Sequence, residues 1–233
     1  MVKDELIKRS PVRVLEKSIH GGLKAGEIGV IAAPSGIGKT SVLVQIALDK
    51  LLQGRKVIHI SYTKHTDYVL AWYEDIFDEF IKKKNLENPE EVKNDAVRNR
   101  VLLKFSQEGV SGDQVRRSLT ALIQDGGFKA EAIIVDGFDF SLQDSGGLAR
   151  TRNMAEELSV SVWYSCTVKA GDVCDKHGIP AILRDALPSV DVIIALDPRA
   201  DHIDLKVRKD RDQFNPERMA LKLDPKTLLM LEG

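Results

Sequence analysis

The sequence predicts an α/β fold in which helices cover a mainly parallel central sheet and antiparallel strands extend its C-terminal edge. Two observations predict this fold. Short apolar runs alternate with helical patterns up to about residue 190, and from Asp191 onward strand patterns follow one another without helices between them. Two parallel strands need a long crossover connection, usually a helix, whereas antiparallel strands can be joined by a short turn. The first part therefore predicts parallel strands and the last part an antiparallel extension.

The period of the apolar residues places the individual elements. Apolar runs predict strands at 29–32, 56–60, 101–103, 132–135 and 160–166, and after them at 191–196, 202–207, 219–223 and 228–231. Helical patterns predict helices at 40–52, 68–84, 112–124 and 151–158. The apolar face of helix 68–84 is predicted to consist of Leu70, Tyr73, Phe77, Phe80 and Ile81. We expect its aromatic side chains to pack in the core or against another subunit, with stacking on nucleic-acid bases as the alternative.

Length and composition predict one domain over residues 1–233, with an N-terminal extension at 1–14 and a charged, flexible excursion at 82–100. The net charge is -1, from 34 basic and 35 acidic residues, so no global field favours nucleic acid or a membrane. No run approaches the roughly 20 apolar residues of a membrane span, and the N-terminus lacks a signal-peptide pattern. The two cysteines do not suggest a disulfide framework. These features predict a cytoplasmic protein with no membrane partner.

The clearest motif is a glycine-containing run between strand 29–32 and helix 40–52. It reads Ala33, Pro34, Ser35, Gly36, Ile37, Gly38, Lys39 and Thr40, with Ser41 next in the helix. A strand before and a helix after are the context of a phosphate-binding loop, in which backbone N–H groups at a helix N-terminus bind phosphate oxygens. Lys39 is placed to reach the β and γ phosphates, and the Thr40 hydroxyl to ligate Mg²⁺. The run predicts binding of a nucleoside triphosphate, ATP with Mg²⁺; the alternative is a simple glycine turn.

A second acidic element supports this prediction. The apolar strand 132–135 is followed directly by Asp136. In phosphate-loop proteins such a carboxylate, on a strand next to the loop strand, holds Mg²⁺ through water or orients the attacking water. The alternative role for Asp136 is that of a turn residue. Asp139 is a nearby competitor, but it lies past the strand end.

The residues on both sides of the loop resemble the RecA-like superfamily of P-loop ATPases, most closely its KaiC and DnaB branch. The resemblance rests on Gly21-Gly22-Leu23-Lys24-Ala25-Gly26-Glu27 before the loop and on Thr40-Ser41-Val42-Leu43-Val44-Gln45-Ile46-Ala47 after it. It extends from about residue 15 to the C-terminus and leaves 64–124 poorly explained. The resemblance implies a RecA-like fold, ATP, Mg²⁺ and a homo-oligomer such as a ring. The family's Lys-x-Arg strand end matches Lys209 and Arg211, which implies that these two contact the nucleotide of a neighbouring subunit.

Two departures from the family bear on hydrolysis. Where the family has a glutamate that polarises the attacking water, this chain has Thr63, and a hydroxyl has no accessible basic form near neutral pH. The family's polar sensor on the next strand is also missing, since Ser165, Cys166 and Thr167 offer only small hydroxyl and thiol groups. Glu74 or Asp139 are substitutes to consider. The resemblance therefore leaves the catalytic residues unassigned and enzymatic activity undecided.

Three functions remain in competition on these residues. The first is a regulatory ATP-binding protein with weak or partner-dependent hydrolysis. The second is a DNA-acting recombinase or helicase-type ATPase, to which the net charge lends no support. A basic run at 206–211 favours it mildly: Lys206 and Arg208 share one strand face, and a solvated edge or a polyanion contact explains them equally. The third is a pseudo-ATPase scaffold without nucleotide, against which the intact pair Lys39 and Thr40 argues.

Overall fold

A single sheet connects the strands of the computed structural model, which describes residues 7–8, 10–62, 67–84, 88–144, 146–169, 171–216 and 219–233. Within these residues the strands are β1 (Ile28–Ala33), β2 (Lys56–Ser61), β3 (Arg100–Lys104), β4 (Ala130–Asp136), β5 (Ser161–Thr167), β6 (Val192–Pro198), β7 (Ile203–Asp210), β8 (Gln213–Phe214), β9 (Leu221–Leu223) and β10 (Met230–Glu232). Their order is β10-β9-β7-β6-β1-β5-β4-β2-β3, and β8 pairs with β7.

The direction of the strands follows the two patterns read from the sequence. The strands from β6 to β3 in this order are parallel to one another. The strands β7, β9 and β10 extend the sheet in antiparallel pairs. The prediction of a mainly parallel sheet with antiparallel strands at its C-terminal edge is confirmed, and each predicted strand is present with bounds shifted by a few residues. In such sheets ligands bind at the carboxyl ends of the parallel strands.

Helices cover both faces of the sheet and bury a separate apolar core on each. One face carries α1 (Pro11–Ser18), α2 (Lys39–Leu52), α3 (Asp67–Lys84) and α4 (Pro89–Arg98). The other face carries α5 (Gly112–Thr120), α6 (Gly147–Glu157) and the 3-10 segment Ala181–Ser189. Alternate strand residues supply the two cores, so that Ile31 packs under α2 while Val30 faces the opposite side. Among the described residues, no helix is both long and apolar enough to cross a membrane.

Two of these helices lie where none was expected. Within the predicted extension 1–14, α1 begins at Pro11, where Ser10 caps it by accepting a hydrogen bond from the Val12 N–H at 3.3 Å. Within the charged stretch 82–100, α4 begins at Pro89 and buries only Val92 and Ala96. So few apolar residues on a charged helix do not produce a visible period, which is why the sequence pattern missed it.

The apolar face of α3 differs in part from the prediction. Tyr73 and Phe77 are buried as expected, together with Val69 and Ile76, but Leu70 is 39% exposed. Phe80 and Ile81 are partly buried against the same core. The buried face therefore lies to one side of Leu70. Tyr73 and Phe77 belong to the core, as expected for the aromatic side chains of this helix, whereas Tyr68 is 65% exposed.

Candidate functional site

The glycine-containing loop leaves the sheet at the carboxyl end of β1 and leads directly into α2. Gly36 and Gly38 have φ of +80° and +104°, in the left-handed region that favours glycine. A Cβ on Gly36 would meet no atom within 4 Å, whereas one on Gly38 would lie 2.6 Å from the Leu223 side chain. Glycine is therefore required for the backbone turn at both positions and also for packing at Gly38. The open space lies beside Gly36, in the turn that leads to the N-terminus of α2, the positively polarised end of a helix.

The side chain of Lys39 is folded back into this loop. It is 8% exposed, and its Nζ donates to the carbonyl oxygens of Ala33 at 3.0 Å and Pro34 at 2.7 Å. Burial lowers the pKa of Lys39, while Asp136 and Cys166 act in the opposite direction. A buried cation that is hydrogen-bonded to neutral carbonyls gains by meeting an anion. The loop thus holds a buried cation at the start of a helix.

Asp136 meets the loop from the end of β4. The Thr40 hydroxyl donates to its Oδ2 at 2.9 Å, and the carboxylate is 3% exposed. The expectation that this strand lies next to the loop strand is wrong, because β5 lies between β1 and β4. The contact still forms because Thr40 stands in the first turn of α2, which packs across both β4 and β5. A hydroxyl and a carboxylate oxygen, close together beside the loop, are the hard ligands that Mg²⁺ prefers.

The end of β5 lies between the end of β1, which leads into the loop, and the end of β4, which carries Asp136. Ser165 accepts a hydrogen bond from the N–H of Gly137 at 2.8 Å and so ties the two strand ends together. Cys166 is fully buried, and burial raises its pKa to about 12, so it is a neutral thiol at pH 7. Thr167 is exposed and pairs in register with Ala33, the first residue of the loop. Of the three small polar residues predicted here, Thr167 is the one exposed beside the loop.

The first turns of α2 are hydrogen-bonded to the C-terminal segment around β10, a contact that the sequence pattern did not predict. The Ser41 hydroxyl donates to the carbonyl of Leu228 at 2.6 Å. Gln45 donates to the same carbonyl at 2.9 Å and accepts from the N–H of Met230 at 2.8 Å. The side chain of Ser41 is therefore turned away from the loop, and it can contribute to a phosphate site only through its backbone. The one available signal was Gln45 itself, a polar residue within the apolar stretch 42–48.

Lys209 and Arg211 are not brought to the loop of their own chain. Both lie where β7 ends beside the beginning of β6, at the amino edge of the parallel strands and opposite the loop. Arg211 donates to the carboxylate of Glu27 at 3.0 and 2.6 Å and to the carbonyl of Gly22 at 2.8 Å. Lys209 donates to the Val190 carbonyl. Contact with a neighbouring subunit's nucleotide stays a prediction, and Arg211 would have to exchange these internal bonds for it.

The remaining basic residues of β7 are paired. Lys206 and Arg208 both bind the carboxylate of Asp197, each at 2.9 Å. A register shift between β6 and β7 leaves Arg208 without a directly opposed residue. Their charge is therefore partly offset within the chain.

The residues considered for water activation are scattered. Thr63 lies outside the described residues. Asp139 caps a short 3-10 turn, its Oδ1 accepting from the N–H and hydroxyl of Ser141 at 2.9 and 2.6 Å. Glu74 is exposed on α3, where its charge acts on Arg100. Neither is hydrogen-bonded to Thr40 or Asp136 in the described part of the chain.

A cavity of about 540 Å³ lies on the opposite face of the sheet, between the strands and helices α5 and α6. Its walls include Tyr62, Phe138, Tyr164 and Arg116, and it includes no residue of the loop. The candidate site at the carboxyl end of β1 is thus separate from this cavity.

A scan against protein-family models and a search of curated proteins find no match for this chain. The chemistry of the site must be argued from its own residues. Among the described residues, no cluster of three or more His, Cys, Asp or Glu side chains could hold a metal ion by itself. Thr40 and Asp136 supply two oxygens, and Mg²⁺ usually completes its shell with water and substrate phosphates. The donor set therefore fits Mg²⁺ brought in by a phosphate-bearing ligand.

Proposed function

We propose that this chain is a Mg²⁺-dependent ATP-binding protein of the RecA-like superfamily, close to its KaiC and DnaB branch. In this proposal the nucleotide controls self-assembly or the choice of partner, and hydrolysis is slow. The observation that carries the proposal is the geometry at the loop: Lys39 is held inside it, and Thr40 meets Asp136 at its edge. The two free cysteines fit a reducing cytoplasm.

Each group has a role in holding the nucleotide. The backbone N–H groups that follow Gly36 and Gly38 bind phosphate oxygens at the start of α2. Lys39 exchanges its carbonyl partners for the β and γ phosphates, and the anion offsets the cost of burying its charge. Thr40 and Asp136 would hold the Mg²⁺ ion, which would offset the charge of the phosphates. Binding should therefore depend on the ion.

Slow hydrolysis is supported by the state of the nearby groups. Asp136 accepts from Thr40, Asp139 is committed to Ser141, and Cys166 is a neutral buried thiol. Among these described groups none is a free base beside the loop. The loss of a water-orienting residue reduces phosphoryl transfer by orders of magnitude, so turnover well below that of a motor ATPase follows.

A DNA-acting motor is the weaker candidate. Its support was the basic run on β7, but Lys206 and Arg208 share the carboxylate of Asp197. Residues bound to phosphates of DNA need free positive charge, and the chain as a whole has a net charge of -1. We therefore prefer the regulatory function.

Titration calorimetry with ATP tests the proposal, with Mg²⁺ and with EDTA. Lys39→Ala should abolish binding, because it removes the cation aimed at the β and γ phosphates. Lys50→Ala is the matched control: it removes the same charge from the other end of α2, where Lys50 pairs with Glu131 at 3.3 Å. We expect the control to bind like the wild type. Equal affinity of wild type and Lys39→Ala would show that the loop does not bind the nucleotide.

A further inference from the structure

His59 is a buried polar residue outside the candidate site at the loop. It lies in the middle of β2 and is fully buried. Its Nδ1 is 3.0 Å from the hydroxyl of Tyr73, and the two rings meet edge to face at 5.6 Å. Its Nε2 is also buried but has no hydrogen-bond partner in the described part of the chain. Buried polar atoms in native proteins nearly always have a partner, protein or water, since an unpaired one is costly.

The tautomer of His59 follows from its neighbour. Burial raises the pKa of Tyr73, so that its side chain remains a phenol with an O–H to donate. The Arg100 guanidinium lies 4.2 Å above the ring of Tyr73 and cannot accept this proton. His59 is neutral near pH 7, because burial lowers its pKa to about 4. With Nδ1 accepting from Tyr73, the ring carries its proton on Nε2, which is then a donor without an acceptor among the described residues.

A candidate acceptor near His59 is the carboxylate of Asp136, whose charge acts on the imidazole. In the pairing of β2 with β4, Ser61 stands opposite Asp136 and His59 opposite Ile134. His59 and Asp136 therefore lie on the same face of the sheet, on adjacent strands, with a register offset of two residues. A strand spacing of about 4.8 Å and a rise of about 3.3 Å per residue separate their α-carbons by about 8 Å. Such a separation, with no direct hydrogen bond at Nε2, fits two side chains joined by one water.

We propose that His59 is a positioning residue for the metal site: its Nε2–H donates to a buried water that in turn donates to the carboxylate of Asp136. The Asp136 Oδ2 already accepts a hydrogen bond from the Thr40 hydroxyl at 2.9 Å. The chain of contacts Tyr73, His59, water and Asp136 then fixes the carboxylate where Mg²⁺ needs it. Such outer partners orient metal ligands and contribute strongly to metal affinity. The consequence for Mg²⁺ rests on the proposed function, but the bridging water itself does not.

A crystal structure of the full chain at about 1.5 Å or better tests the water directly. We expect a water within about 3.2 Å of both Nε2 and an Asp136 carboxylate oxygen. A structure in which Nε2 bonds to another protein group, or in which no water stands there, overturns the proposal. This measurement needs no nucleotide, so it decides the water bridge even if the wild type binds no ATP and the proposed function fails.

The Mg²⁺ dependence of ATP binding tests the consequence in solution. His59→Phe should raise the Mg²⁺ concentration for half-maximal binding about 10- to 100-fold while leaving binding in EDTA unchanged. His59→Gln keeps a donor and should recover much of the loss. Tyr73→Phe should raise the Mg²⁺ concentration for half-maximal binding more than Tyr164→Phe does. The second substitution removes a buried hydroxyl from the opposite face of the sheet. A change below about twofold for His59→Phe, in a protein that unfolds like the wild type, refutes the role. If that variant does not fold, Tyr73→Phe decides by the same criterion.

Discussion

Replacing Gln45 with Leu should destabilise the protein by an amount that can be worked out from the hydrogen bonds of the Gln45 side chain. Gln45 is 1% exposed, and Leu fills its place with a branched apolar side chain, so the change removes the polar contacts. The carbonyl of Leu228 keeps a partner, because Ser41 also donates to it at 2.6 Å. The N–H of Met230 loses its bond to the Gln45 Oε1 at 2.8 Å. One unpaired buried N–H costs about 1–3 kcal/mol, so we expect a loss of about 2 kcal/mol in the free energy of unfolding.

Urea unfolding followed by circular dichroism measures this loss. About 2 kcal/mol corresponds to a roughly thirtyfold change in the unfolding equilibrium, which is well above the error of a midpoint shift at constant slope. Gln124→Leu is the control, since Gln124 is exposed. The control should change stability by less than about 0.5 kcal/mol, as exposed sites do. An equally small change for Gln45→Leu would mean that the C-terminal strands are not anchored to α2 through this amide.

Three further outcomes follow from the site. Thr63→Glu should raise a low intrinsic ATPase rate by supplying a base; a wild-type rate near the ~10 s⁻¹ typical of enzymes would show that another group already does so. ATP but not ADP should promote self-association in analytical ultracentrifugation, and Arg211→Ala should abolish it; a wild type that stays monomeric with both nucleotides would exclude the contact between subunits. Iodoacetamide at pH 8 should modify exposed Cys174 quickly and Cys166 only after unfolding, because burial raises the Cys166 pKa to about 12; equal rates in native protein would contradict its burial.

The sequence predicted those parts of the fold that depend on local pattern. The strands and the loop could be predicted because they depend on residues that are close together in the sequence. An apolar run predicts a strand, and Gly36, Gly38 and Lys39 after such a run predict the loop. The charged helix α4 was missed because only Val92 and Ala96 are buried, too few to produce a period. The position of β5 between β1 and β4 was missed for another reason: the order of parallel strands depends on how the crossovers pack, and no single residue reveals it.

The contacts that shape the candidate site also depend on how distant segments of the chain pack. Residue type alone therefore gave an incomplete site. Ser41 follows the loop in sequence and was predicted to bind nucleotide, yet its hydroxyl serves the Leu228 carbonyl, 187 residues away. Arg211 was predicted to reach outward, yet it holds Glu27, 184 residues away. In both cases the fold brings a distant segment of the chain next to the polar side chain. The donor then bonds to that segment, because buried donors in native proteins are nearly always paired. His59 is the converse case. Its hydroxyl neighbour Tyr73 accounts for one ring nitrogen, and the donor that remains is the reason to look for water beside Asp136.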